Sequence, residues 1–250
     1  MINMDEIEKL RQENEELKKI IDEKSDLISI SAHQLRTSLS AIKWTLRMFM
    51  DKDLGEMTKE QEEFINKAFN SNQDMIKLVN NLLLINKTAD TAVSFNFKDV
   101  DLVELVNHTL LEFADEAKKK YTEIKFHKSE ESIIISCDKQ MMHIVFQNLT
   151  ENAIKYSHEK GTININIEKS HDGKNVEISI KDDGIGIEDK DKTNIFNKLF
   201  RANNAIEKDH DGSGLGLFTT KNIVERHGGK IWFESEAGKG TTFYVSLPIL

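Results

Sequence analysis

The chain has 250 residues, 31% of them charged, and a net charge of −9. That length can bury a real core in one or two domains, and scattered basic residues under a negative balance exclude nucleic acid as an expected partner. A single cysteine, Cys137, rules out an internal disulfide framework, and no run of about eighteen apolar residues offers a membrane span.

A reducing, cytoplasmic setting is therefore expected. No signal peptide pattern opens the chain. It begins inside a heptad pattern, which reads as the intracellular part of a longer protein. Residues 5 to 51 read as one helix without Gly or Pro. Ile7, Ile21, Ile28, Leu35, Ile42 and Phe49 fall at heptad position a, with Asn14 as a polar a residue and Leu10 and Leu17 at d. Leu at d with one buried Asn favours a parallel two-stranded coiled coil, hence a homodimer. Lys24 and Ser38 interrupt the seam. From Leu35 the apolar surface widens to include Leu39, Trp44, Leu46 and Met48, which calls for more than one partner helix. His33 falls at f, furthest from the seam, where a neutral imidazole can act as a nucleophile toward water-borne partners. An exposed histidine with no chemical task is the commoner meaning of such a position, so the rest of the chain decides.

Asp51 to Met57, with Gly55, reads as a helix–helix turn. Thr58 with Gln61 forms a capping box for a second helix carrying Phe64, Ala68, Ser71, Met75, Leu78, Leu82 and Ile85. Two such hairpins would close a four-helix dimer core. Beyond Lys87 the period changes. Ser94 to Lys98 alternates like a strand, and Asp101 caps a short helix. Strands follow near Glu123–His127 and Ser132–Ser136, and Asp138 caps a helix over 139 to 157. Ile163, Ile165 and Ile167 alternate, as do Val176, Ile178 and Ile180, around an Asp172-Gly173 turn, which is a hairpin signature. A polar segment from Glu188 to Asp211, a helix after the glycines at 212 to 216, and strands near Lys230–Ser235 and Thr241–Leu247 complete a layered domain with a mixed sheet.

Four local patterns point to a nucleotide. Asn148, Asn152 and Lys155 share a helical face, and amide oxygens can ligate a hard cation while a lysine meets phosphates. Asp182-Asp183-Gly184-Ile185-Gly186 ends a buried strand, where a carboxylate can accept from an exocyclic amine and glycines admit a flat ligand. Gly212-Ser213-Gly214-Leu215-Gly216 opens a helix, whose free N–H groups suit phosphate. Phe196-Asn197-Lys198-Leu199-Phe200-Arg201 sets apolar anchors and a cation in the polar segment, as in a lid. Taken singly, a polar helix face, a strand-end turn or plain packing explains each pattern. Their order and spacing together do not fit those readings.

With these residues the chain resembles the sensor histidine kinases of bacterial two-component systems over nearly its whole length. Asn148 to Tyr156 is similar to that family's N box, Asp182 to Gly186 to its first glycine box, and Phe196 to Arg201 to its F box. Gly212 to Gly216 is similar to its second glycine box, and His33 to Thr37 to its phosphoacceptor box. The resemblance implies a coiled-coil signalling helix over 1–27 and a dimerization and phosphotransfer hairpin over 28–90. It implies a Bergerat-type α/β two-layer ATP-binding sandwich over 93–250. It further implies that Asp182 binds the adenine amine, Asn152 with Asn148 binds Mg²⁺, Lys155 and Arg201 contact phosphates, and Tyr156 lies on the nucleoside side. His33 would take a phosphoryl group from ATP and pass it to an aspartate of a response-regulator receiver domain, and Thr37 would position water for dephosphorylation. The longer protein would then be a sensor, the chain being its cytoplasmic part.

Two residues depart from the family pattern. Gln34 stands where an acid is usual, and an amide cannot take up a proton as a base. Slow autophosphorylation, or loss of the proton to water, is expected. Ser38 stands where proline is usual, and it permits a straighter helix. These departures support a second reading, a dimeric nucleotide-responsive scaffold without kinase turnover. A gyrase- or chaperone-type ATPase fits less well, because Asn148 occupies the place of its water-activating glutamate.

Overall fold

The computed structural model describes residues 4–89, 95–209 and 212–249. The side chains of Ile7, Leu10, Leu17, Ile21, Leu82 and Ile85, and Ser94 and Asp211 altogether, lie outside the described residues. The chain divides into two compact units, Met1–Asp90 and Thr91–Leu250.

The first unit is a helical hairpin. Helix α1 spans Met4–Met50 and α2 spans Lys59–Ala89. Helix α1 runs unbroken through Ser38, whose Oγ donates to the Gln34 carbonyl at 3.1 Å. The capping box at α2 forms as expected. Thr58 N–H donates to Gln61 Oε1 at 2.9 Å, and Gln61 N–H donates to Thr58 Oγ1 at 3.2 Å.

The helices join within the chain through a face other than the heptad seam. Ala32 and Leu39 of α1 bury against Val79, Ile76 and Leu83 of α2. Buried Asn72 donates its amide to the Leu39 carbonyl at 3.1 Å. The stripe expected to line the four-helix dimer core faces outward from the single hairpin, with Phe64 64%, Met75 45% and Leu78 42% exposed. Leu35, Ile42 and Trp44 of α1 are exposed as well. Each helix therefore carries two apolar faces, one used within the chain and one unpaired. A helix of this length with one satisfied face leaves a large apolar area in water.

In the second unit, β1 (Lys98–Asp101) pairs antiparallel with β3 (Ile134–Cys137). Helices α3 (Leu102–Glu112) and α4 (Ala114–Lys119) lead to β2 (Glu123–Lys128). Helix α5 (Lys139–Tyr156) precedes the hairpin of β4 (Thr162–Lys169) and β5 (Asn175–Lys181). Helices α6 (Asn203–Lys208) and α7 (Gly216–Arg226) precede β6 (Lys230–Glu236) and β7 (Gly240–Pro248). The main sheet has five strands in the order β2-β4-β5-β7-β6, with β2 parallel to β4 and every other pair antiparallel.

The alternation seen in the sequence buries one face of this sheet. Ile163, Ile165, Ile167, Val176, Ile178, Ile180, Val245 and Leu247 are all buried, and α3, α5 and α7 form the second layer. Each such side chain contributes about 1.5–3 kcal/mol relative to exposure. Asp101 and Asp138 cap α3 and α5, each accepting from backbone N–H groups of the first turn.

Residues 95–97 are not a strand, contrary to the expectation for Ser94 to Lys98. Asn96 N–H donates to the Asp138 carboxylate at 2.9 Å rather than to a ladder, and Phe95 and Phe97 pack on the ring of His227. Helices α4 and α6 were not expected; both are short and mostly polar, so no apolar stripe announces them.

His227 is 6% exposed and joins the end of α7 to the start of α5. Its Nε2 accepts from the Asp138 N–H at 3.0 Å, so its proton sits on Nδ1, which donates to the Ile223 carbonyl at 2.8 Å. Burial holds its pKa below the usual 6.5. Below pH 6.5 the unfolded chain binds a proton that folded His227 refuses, so this contribution to stability falls as pH drops through that value. Thermal melts of wild type between pH 8 and pH 5 should lose midpoint on the acid side. His227→Gln, whose carbonyl oxygen can accept from Asp138 without titrating, should lose that part of the slope. An identical slope in both proteins would refute the role.

Candidate functional site

The candidate functional residues of the hairpin sit on α1. Burying Ala32 and Leu39 fixes the rotation of the helix, and this leaves His33, Gln34 and Thr37 exposed. Thr37 Oγ1 donates to the His33 carbonyl at 3.1 Å, so its oxygen keeps acceptor capacity. Arg36, one residue earlier, donates through Nε and Nη2 to Asn80 Oδ1 of α2 at 3.0 and 2.8 Å. This cross-helix clamp beside the histidine had no sequence signal, because spacing within one helix cannot reveal its neighbour.

In the second unit the first glycine motif ends β5. Asp182 is 5% exposed, and its Oδ1 accepts from the N–H groups of Gly184 at 2.9 Å and Thr241 at 3.2 Å. Among the described residues both bonds fall on one oxygen, which leaves Oδ2 for an outside donor. Burial pushes the carboxyl up to about 6; the two N–H groups oppose the rise and neighbouring Asp183 adds to it. Asp183 itself accepts from Thr162 N–H at 2.8 Å, and so ties β5 to the start of β4.

Gly184 and Gly186 serve the chain's own packing. A Cβ on Gly184 would lie 2.1 Å from the Tyr156 carbonyl oxygen, and one on Gly186, at φ +64°, would lie 2.0 Å from that of Glu236. The loop after β5 is thus pressed between the end of α5 and the β6–β7 turn, and that contact fixes Asp182 in place.

Along α5, Asn148 donates its amide to the Gly216 carbonyl and to Thr220 Oγ1, both at 3.3 Å. Its carbonyl oxygen remains the candidate metal donor, and Asn152 lies one turn further along the same face. Among the described residues no three His, Cys, Asp or Glu side chains converge on a metal. The donor set here fits a hard cation such as Mg²⁺, which takes a few protein oxygens and completes its shell with water and phosphate.

Lys155 Nζ lies 5.7 Å from the ring centre of Tyr156 and forms an ion pair with Asp209. Arg201 meets the same aspartate through its guanidinium, 3.6 Å from Oδ2.

The second glycine motif leads into α7, whose first turn has no side-chain cap hydrogen bond. Ser213 Oγ instead accepts from Leu215 N–H at 3.3 Å. Leu215, expected to meet the cofactor, is 1% exposed and packed in the core. Gly214 at φ +67° packs on the backbone of Leu199 and Phe200, and Gly212 lies against the Arg201 guanidinium. The two motifs are therefore one surface, with Leu199 N–H donating to the Gly214 carbonyl at 3.1 Å. An uncapped helix start beside Arg201 suits an anion. In sum, Asp182, Tyr156, Asn148, Asn152, Lys155, Arg201 and residues 212 to 216 all arise from α5, the loop after β5, the lid and the start of α7.

Residues 137–250 match the family of histidine kinase-, DNA gyrase B- and HSP90-like ATPases, and residues 23–90 match the His Kinase A (phospho-acceptor) domain. The sensor histidine kinase WalK of Bacillus subtilis is 31% identical over 93% of this chain and 38% of its own length. The adaptive-response sensory kinase SasA of Prochlorococcus marinus is 34% identical over 98% of this chain and 64% of its own. The chain thus spans less than two thirds of either relative. The catalytic domain of the histidine kinase ThkA superposes with a TM-score of 0.55 at 29% identity, over 62% of this chain and 96% of that one. Full-length ShkA, solved in complex with AMPPNP, shares the fold with a TM-score of 0.73 at 23% identity, over 89% of this chain and 45% of its own. The α/β sandwich and the helical hairpin ahead of it, together with these matches, place the chain in the family of bacterial sensor histidine kinases.

Proposed function

We propose that the chain binds ATP with Mg²⁺ in the second unit and phosphorylates itself on His33. The observation that carries this reading is buried Asp182, held by two backbone N–H groups with an oxygen to spare, in the same unit as an uncapped helix start and two cations. Asp182 accepts from the adenine amine, and Tyr156 borders the nucleoside. Lys155, Arg201 and the N–H groups at the start of α7 bind phosphates. Asn152 and Asn148 hold Mg²⁺, which supplies charge neutralisation across the phosphate oxygens.

A ring nitrogen of exposed His33 forms a bond to the γ-phosphorus, the bond to the ADP oxygen breaks, and the ring proton leaves to water, since Gln34 is no base. The phosphoryl group then passes to an aspartate of a response-regulator receiver domain docked on the hairpin. Thr37, exposed and one turn from His33, orients water when the regulator is dephosphorylated. Protein incubated with γ-labelled ATP and Mg²⁺ should gain acid-labile, base-stable label that is absent from His33→Ala. Nucleotide binding without label over hours would favour a signalling scaffold that lacks kinase turnover.

The titration of Asp182 gives a second test. A proton on its carboxyl competes with the adenine amine, so affinity for nucleotide should fall below pH 6, approaching about tenfold per pH unit. Asp182→Asn should bind about tenfold or more weakly at pH 7.5 and lack the difference between pH 7.5 and pH 5 that this carboxyl causes. Phosphate titration is common to both proteins and cancels. Equal pH dependence of binding in the two, by calorimetry, would remove Asp182 from the site.

Homodimerization accounts for the outward apolar face of the hairpin, where Leu35 is 51% and Ile42 47% exposed. Light scattering should give twice the 28.7 kDa chain mass for wild type. Leu35→Glu with Ile42→Glu should give the single-chain mass with helicity retained. A monomeric wild type would contradict the reading.

A further inference from the structure

The C-terminal part of the lid, residues 188–209, is fastened to the rest of its unit by side chains of Asn204, Lys208 and Asp209. Asn204 donates its amide to the Gly186 carbonyl at 3.0 Å. Lys208 Nζ donates to the carbonyls of Tyr156 at 2.8 Å and Ser157 at 2.7 Å, and so caps the end of α5. Asp209 reaches Lys155 with its carboxylate and receives Arg201 Nη2 on its backbone carbonyl, with the guanidinium 3.6 Å from Oδ2. The three side chains are well shielded, with Lys155 27%, Asp209 23% and Arg201 15% exposed. Both cations assigned above to the phosphates thus already meet the Asp209 carboxylate, and Arg201 also donates to the carbonyls of Asp209 and Ala205.

An oxyanion set between an ammonium and a guanidinium is what a phosphate would supply there. We propose that Asp209 is a built-in phosphate surrogate: it occupies the phosphate-binding cations in the nucleotide-free chain and must be displaced by the phosphates of an incoming nucleotide. The inference rests on the ATP-binding reading and deepens it.

Displacement makes the pocket discriminate. A ligand that brings several phosphate charges outcompetes one carboxylate for Lys155 and Arg201. A nucleoside brings none, leaves the Asp209 contacts in place and incurs no displacement. Removing the charge at Asp209 therefore favours ligands in proportion to their phosphates, whereas general loosening of the lid would change all ligands alike. The same step couples nucleotide entry to the lid, because Asp209 adjoins Lys208, which fastens the lid to α5.

Calorimetric titration of the full chain with MgATP and with adenosine, for wild type and Asp209→Asn, tests the proposal. Asp209→Asn should bind MgATP about tenfold more tightly, the scale of a shielded charge-assisted contact, and adenosine within twofold of wild type. Retained adenosine binding also shows that the variant pocket is folded. Equal changes for both ligands would assign Asp209 to general lid stiffness, and unchanged or weaker MgATP binding would show that it does not compete; either overturns the proposal. Wild type that binds neither ligand would overturn the ATP-binding reading itself, and the surrogate with it.

Discussion

Asp182 is held where an ionised carboxylate is expensive. Little water reaches it, two N–H groups offset part of the desolvation, and its pKa rises to about 6. Much of the second unit can be traced to keeping it there. Gly184 and Gly186 let the loop after β5 touch the backbone at Tyr156 and Glu236, at distances no other residue would permit. Gly240, at φ +99°, lets the β6–β7 turn reach the Asp182 carbonyl. Three elements distant in sequence thus meet at one carboxyl group. A carboxylate that shares an oxygen with two amides and keeps another unused is preorganised for one more donor, and the binding energy need not be spent on arranging it.

The hairpin meets a different constraint. A nucleophilic imidazole has to stay in water, yet a helix in water needs packing to persist. Here one face of α1 packs through Ala32 and Leu39, and His33 lies just off that face. Asn72 and the Arg36–Asn80 clamp add polar contacts that set how α1 and α2 align, since an amide satisfies its hydrogen bonds in few registers. The serine at position 38 leaves α1 continuous, with its hydroxyl returned to the Gln34 carbonyl rather than to solvent.

What could be read from the sequence followed from period and chemistry. Strict alternation located β4 and β5, and aspartates ahead of apolar runs located the starts of α3 and α5. The nucleotide motifs were readable because each needs a particular residue at a particular offset. The failures have equally physical causes. The heptad template assumes one apolar face, but both hairpin helices have two, so it did not reveal the intrachain contact of Ala32 and Leu39 with Ile76, Val79 and Leu83. The segment at 95–97 alternates like a strand, yet its N–H goes to a capping aspartate 42 residues away, which no local pattern records. Leu215 sits in a glycine motif but points into the core, since a motif marks backbone geometry before it marks contact. Asp209, in a polar stretch with no motif at all, acquires meaning only when Lys155 and Arg201 are seen to share it.

The most direct measurement is a crystal structure of the full chain with a non-hydrolysable ATP analogue and Mg²⁺. The account predicts the purine amine within hydrogen-bond distance of the Asp182 carboxylate, with phosphate oxygens on Lys155, Arg201 and the first N–H groups of α7. A purine bound elsewhere, or Asp182 with no ligand donor upon it, would contradict the account.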